Sequence, residues 1–158
     1  MSASFAQRSK NIDQLIQKVS HFSEVEGEHE SIISGLSFHS RISPTESTPC
    51  IYNLGLGLVL QGQKDIIIGD KVYQCRQGYS MLTTIDLPVT SHVVEASLKK
   101  PFLALLLLLD LKMVNEVVAD LPVKELPPYS DHTHESFSVE SADIALIDAV
   151  FRLVKLID

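Results

Sequence analysis

Apolar residues recur at Ile12, Leu15, Ile16, Val19 and Phe22, with Asp13, Gln14, Gln17 and Lys18 between them. Steps of three and four place the apolar set on one side of a helix, so the pattern predicts a short amphipathic helix ending before Gly27. The period then changes to two. Leu36, Phe38, Ser40 and Ile42 alternate with Ser37, His39 and Arg41, as in a strand with one covered face. Residues 43–49, with prolines at Pro44 and Pro49, read as the loop that ends this strand.

From Cys50 to Pro101 strand signals dominate. Leu54, Leu56, Leu58 and Leu60 alternate with Gly55, Gly57 and Val59. Residues 66–68 and 71–73 flank Gly69-Asp70, a good two-residue hairpin turn. Gly78 precedes a run over 80–85 that Pro88 stops, and 89–96 and 102–109 supply two more strands. The leucine-rich run over 102–109 has helical propensity, but Lys100-Pro101 before it and a fresh start at Asp110 favour a buried strand. Asp110 reads as the N-cap of a helix carrying Leu111, Val114, Val117, Val118 and Leu121, closed by Pro122. Residues 122–138 form a polar, proline-rich connection. Ile144, Ile147, Val150, Phe151, Val154 and Ile157 then mark a final helix with an apolar stripe. No stop signal follows before Asp158, so the natural protein is expected to continue. Many short strands with turns, flanked by helices, predict a mainly β fold, a barrel or sandwich.

The chain has 158 residues and is 45% hydrophobic, enough for one domain with a well-filled core. Thirteen Lys and Arg against 20 Asp and Glu give a formal charge of -7. Gripping duplex DNA requires neutralised phosphates, so this acidic piece is not expected to bind DNA by itself. The N-terminus has neither a secretory nor a lipidation pattern, and the apolar run at 102–109 is far short of the roughly 20 residues that span a bilayer. Two cysteines, Cys50 and Cys75, without an export signal are expected to be reduced thiols in a cytoplasmic protein.

Candidate chemistry is sparse. His132 and His134, followed by Glu135, suggest a metal pair, but the metal signature of cupin barrels asks for Gly where Leu126 stands and Glu where Ser138 or Val139 stands. Its second half, tested from Gly78, would place ligands at Met81 and Ile85, which cannot serve a hard or borderline cation. No metal and no cofactor is expected. Gly55-Leu56-Gly57 opens no helix, so it reads as close packing in a strand and not as a dinucleotide loop. His39, Arg41, Tyr52, Tyr73 and His92 lie on predicted strands, where a polar side chain facing inward needs a partner from protein or ligand. His39, Tyr52, Tyr73 and His92 are therefore the candidate ligand-binding residues. Ile147, Val150, Phe151 and Val154 form either core or a dimer seam.

Pro49-Cys50-Ile51-Tyr52, LGLVLQGQK at 56–64, IGDKVY at 68–73, IDLPVTSHVVEAS at 85–97, residues 100–105, Leu109-Asp110 and RLVKLID at 152–158 form a distinctive combination. With these segments the chain resembles the N-terminal domain of bacterial AraC-type transcription regulators. It departs from the usual pattern at Leu54, where such proteins tend to have Pro. The resemblance implies a cupin-like β-barrel with an N-terminal helix and C-terminal helices, a homodimer, and control of helix-turn-helix motifs that this chain does not contain. It implies no catalysis and an unknown small-molecule effector. The rival readings are a metal-dependent cupin-type enzyme with atypical ligands and a stand-alone small-ligand binding protein.

Overall fold

The stripe at residues 12–22 belongs to a longer helix, α1 (Ser2–Phe22), whose Ile12, Leu15 and Val19 are buried. In this computed structural model, which describes residues 2–122, 124 and 135–157, α1 lies on one face of a six-stranded sheet. The strands follow as β1 (Gly27–Glu30), β2 (Leu36–Arg41), β3 (Thr48–Tyr52), β4 (Gly55–Gln61) and β5 (Gln63–Ile68). Then come β6 (Lys71–Arg76), β7 (Tyr79–Thr83), β8 (Leu87–Glu95) and β9 (Phe102–Leu108). The leucine-rich run is thus a strand, between β2 and β4. The helix α2 (Leu111–Asp120), the strand β10 (Phe137–Ser141), the helix α3 (Ile144–Val154) and a closing 3-10 turn (Lys155–Ile157) complete the chain.

Every ladder is antiparallel. The order is β1-β2-β9-β4-β7-β10 in one sheet and β3-β8-β5-β6 in the other. Among the described residues no ladder joins them, so the barrel expected from the sequence is two facing sheets and not a closed cylinder. Period-two alternation sorts β9 between two cores: Leu103 and Leu105 face the helices, while Phe102 and Ala104 face the smaller sheet. The layers are therefore helices, large sheet, small sheet.

Two strands are absent from the sequence reading. β1 has only polar residues after Gly27 and pairs with β2, and β10 begins within what reads as a polar connection and continues beyond it. Pro88 does not end a strand but sits within β8. The β5 ladder reaches only to Thr90, so Pro88 costs no bond on that side.

Asp110 and Asp143 cap α2 and α3, each accepting a backbone N–H, from Lys112 and Leu146, at 2.8 Å. The α3 stripe is core: Ile147, Val150 and Val154 are buried in one cluster with Leu15 and Val19 of α1, and Phe151 is half-buried at its edge. Arg8 fastens the helical layer to the sheets, donating through Nε to Ala142 O at 2.8 Å and through Nη2 to Gly78 O at 2.9 Å.

Candidate functional site

Alternation along β2 puts Leu36 and Phe38 under the helices and turns Ser37, His39 and Arg41 towards the small sheet. On β5, Ile66 and Ile68 point into the core between the sheets, and Lys64 shares their parity. Tyr52, at the end of β3, packs on the same core. His39, Tyr52 and Lys64 consequently meet in a cleft between the two sheets.

This trio borders two spaces. The inner one is a chamber of about 120 Å³ with mostly apolar walls, including Gly55, Gly57, Met81, Ala104 and Leu108. Its room comes from small residues. A Cβ at Gly57 would lie 2.6 Å from Met81 Cε, and one at Gly55 would lie 2.9 Å from Leu107 O. The outer space, a cleft of about 470 Å³, is bordered also by Glu28, Arg41, Cys50 and His92.

The polar groups differ in how well they are satisfied. Glu28, on β1, places its carboxylate 3.7 Å from His39 Nδ1 and 3.8 Å from Arg41 Nη2, while His39 Nε2 lies 3.2 Å from Ser37 Oγ. Burial lowers the His39 pKa below its ordinary value, with the Glu28 charge pulling the other way and Lys64 and Arg41 adding to the depression. The Lys64 ammonium stands 5.1 Å from the centre of the Tyr52 ring, a cation–π contact, and no carboxylate pairs with it among the described residues. Tyr52 Oη is buried and has no hydrogen-bond partner there. A buried hydroxyl left unpaired is costly, and a ligand oxygen would relieve it.

Of the four residues expected to bind ligand, the structure brings His39 and Tyr52 together. His92 stands at the mouth of the outer cleft with Nδ1 3.2 Å from Ser47 Oγ. Tyr73 lies elsewhere in the inter-sheet core, its ring edge-on to Phe137 at 5.0 Å, because β6 is at the far edge of the small sheet. Lys64 was missed, although its place two residues before Ile66 signals the inner face. Glu28 gave no signal, since nothing in the sequence marks β1 as a strand.

Met81 is buried against the chamber, and among the described residues no three His, Cys, Asp or Glu side chains come together. His132 and His134 lie outside the described residues. Cys75 is buried, its thiol pushed up to about 12 chiefly by desolvation, and Cys50 is exposed and free.

Residues 32–158 match the family described as AraC-type transcriptional regulator N-terminus. The chain belongs to this family. Among solved structures, an apo variant of ToxT from Vibrio cholerae superposes with a TM-score of 0.55 at 9% identity, over 82% of this chain and 50% of that one. Wild-type ToxT from Vibrio cholerae bound to an unsaturated fatty acid gives 0.48 at 9% identity, over 77% and 47%. The apo likeness establishes the fold that this AraC-type domain adopts. The chain spans about half the length of these structures. No curated protein sequence matches it.

Proposed function

We propose that this AraC-type domain is the effector-sensing half of a cytoplasmic transcription regulator, binding a small molecule between its two sheets and governing a DNA-binding segment outside this chain. The observation that carries the reading is the mostly apolar chamber between the sheets beside a buried hydroxyl that has no partner among the described residues, in a domain whose family is the N-terminus of transcription regulators. The acidic balance suits such a division of labour, because phosphate contacts then fall to another part of the protein. A ligand controls the outcome by binding two arrangements of the domain with different affinity.

The test is a fusion of residues 1–158 to the DNA-binding half of an AraC-type regulator with a known operator, screened against small-molecule pools. The expected result is a ligand-dependent reporter response that Ala104→Leu, which fills the chamber, abolishes. A response indifferent to Ala104→Leu overturns the site. Specific operator binding by the domain alone, as tight as by the fusion, overturns the regulatory reading. One equivalent of bound transition metal in protein purified without chelator or histidine tag favours the enzyme reading instead.

The regulator is also proposed to be a homodimer, since two reading heads on two half-sites gain from a two-fold axis. Ile147, Val150 and Val154 are already covered by α1, which leaves Phe151 as the accessible member of the expected seam. By contrast α2 has no buried residue and exposes Leu111, Met113, Val117 and Val118. Sedimentation of Phe151→Glu and Val117→Glu variants shows which helix holds the copies together, and a wild type that stays monomeric defeats the dimer.

A further inference from the structure

We infer that the occupant of this cleft is an amphipathic carboxylate, its head between Tyr52 and Lys64 and its apolar part filling the inner chamber. The inference rests on the effector-site reading above and adds the ligand's chemical class.

Head-group chemistry follows from which cations are already engaged. Arg41 is paired with the carboxylate of Glu28, beside which the buried His39 is held towards its neutral form, whereas among the described residues Lys64 faces the Tyr52 ring and no carboxylate. Tyr52 Oη adds a buried hydroxyl with no partner among the described residues. An ammonium and a hydroxyl donor side by side ask for one oxygen acceptor carrying negative charge. Among the described residues of the cleft this leaves one cation without a carboxylate, which matches a monoanion. A dianionic phosphate would keep a charge uncompensated in a cleft that also holds Glu28. A neutral ligand would leave the Lys64 charge unmatched.

The chamber sets the size of the other end. Its volume of about 120 Å³ lies a little below that of an apolar protein cavity of about 150 Å³ known to hold benzene. Gly57, Met81, Ala104 and Leu108 offer that end no hydrogen bond from their side chains. A ring or a short branched chain fits there, and a long unbranched chain does not fit without spilling into the outer cleft.

Phenylacetate, its neutral amide phenylacetamide and cis-9-hexadecenoate distinguish the possibilities by titration calorimetry on the chain. Phenylacetate is expected to bind at least about tenfold more tightly than the amide, because a charge-assisted hydrogen bond is lost with the charge. Lys64→Met is expected to erase that preference, Tyr52→Phe to weaken phenylacetate several-fold, and Ala104→Leu to abolish binding of both. Lys64→Gln replaces Lys64→Met should the latter melt early. The carboxylate class is overturned if the amide binds as well as the acid, if Lys64→Met leaves phenylacetate unaffected, or if phenylacetate fails to bind. Tighter binding by the hexadecenoate overturns the size limit. In those cases a reporter response still blocked by Ala104→Leu preserves the effector site itself. Phenylacetate binding that survives Ala104→Leu removes the chamber from the site.

Discussion

Replacing Ile147 by Ala tests whether the stripe on α3 serves the protomer's own core. Ile147 is fully buried, in one cluster with Leu15 and Val19 of α1 and Leu103 and Leu105 of β9. Truncation removes methyl and methylene groups from a site closed on both sides, and a buried Ile→Ala change costs about 2–5 kcal/mol. Against a total stability of about 5–15 kcal/mol this is a large fraction. For a domain of this length each kcal/mol moves the midpoint by roughly 2–4 °C, so Tm is expected to fall by about 4–20 °C. Phe151→Ala, on the same stripe but half-buried, is expected to cost less. Urea unfolding followed by circular dichroism gives the loss directly, and sedimentation reports assembly in parallel. Because a dimer's stability depends on protomer concentration, the loss must be measured at two concentrations well apart. A loss of core is the same at both. An Ile147→Ala protein that keeps its urea midpoint but dissociates refutes the reasoning, since the residue would then act across a seam.

Three further outcomes follow from the same structure. His39 is held below the ordinary imidazole value of 6.5 chiefly by burial, so on acidification the unfolded chain takes up that proton before the folded one does. Its contribution to stability is full above the ordinary value and is lost as pH falls through it towards the folded one; urea midpoints between about pH 7.5 and 5.5 are expected to fall, and His39→Gln to flatten the slope. Native protein is expected to offer one thiol, Cys50, to a thiol-specific dye and the urea-unfolded chain two, because Cys75 is buried with its thiol pushed up to about 12. Gly62→Ala is expected to destabilise by more than about 1 kcal/mol, as Gly62 has φ +80° and an added Cβ would run into the Glu95 carbonyl; Gly69→Ala, at φ +61° with open space around it, is expected to cost less, and thermal melts of the pair check the order.

Legibility in the sequence followed the strength of the periodic signal. α1, β2 and α3 were readable because each buries a large apolar set on one face, which imposes period 3.6 or 2 on the chain, and β4 and β9 because, buried on both faces, they stand out as short apolar runs. β1 and β10 were not. Gly27, Glu28, His29 and Glu30 form a strand only because β2 offers an edge to pair with, and β10 gains its place from β7. Edge strands take their order from a neighbour's hydrogen bonds, and these leave no trace in hydropathy. The site shows the same division. His39 and Tyr52 could be named from strand parity, but their meeting depends on how the two sheets face each other. Tyr73 has the same parity argument in its favour and lies elsewhere. Glu28, which engages His39 and Arg41, arrives on a strand that hydropathy cannot see.

The middle layer explains how an occupied cleft can be felt on the far side of the domain. β9 carries Ala104 into the inner chamber and, one residue to either side, Leu103 and Leu105 into the cluster with α1 and α3. A close-packed strand cannot yield on one face without moving the other, since interiors have few voids to absorb a shift. A second route runs through Met81 of β7, a chamber wall paired with Val139 of β10. β10 leads directly to Ala142, whose carbonyl accepts from Arg8 of α1 and which precedes the cap of α3. Both routes end on the α1–α3 pair, so on the proposed effector reading the helical layer is where a difference in ligand affinity between two arrangements of the domain would become a difference in surface shape. Replacing Arg8 by Ala cuts the branch of the second route that reaches α1 and leaves its chain link to α3, and the first route, intact. If β10 carries the signal through Arg8, the reporter fusion with Arg8→Ala is expected to bind ligand with unchanged affinity yet respond less. An unchanged response removes the Arg8 link from the signal and leaves β9 and the junction of β10 with α3 as its carriers.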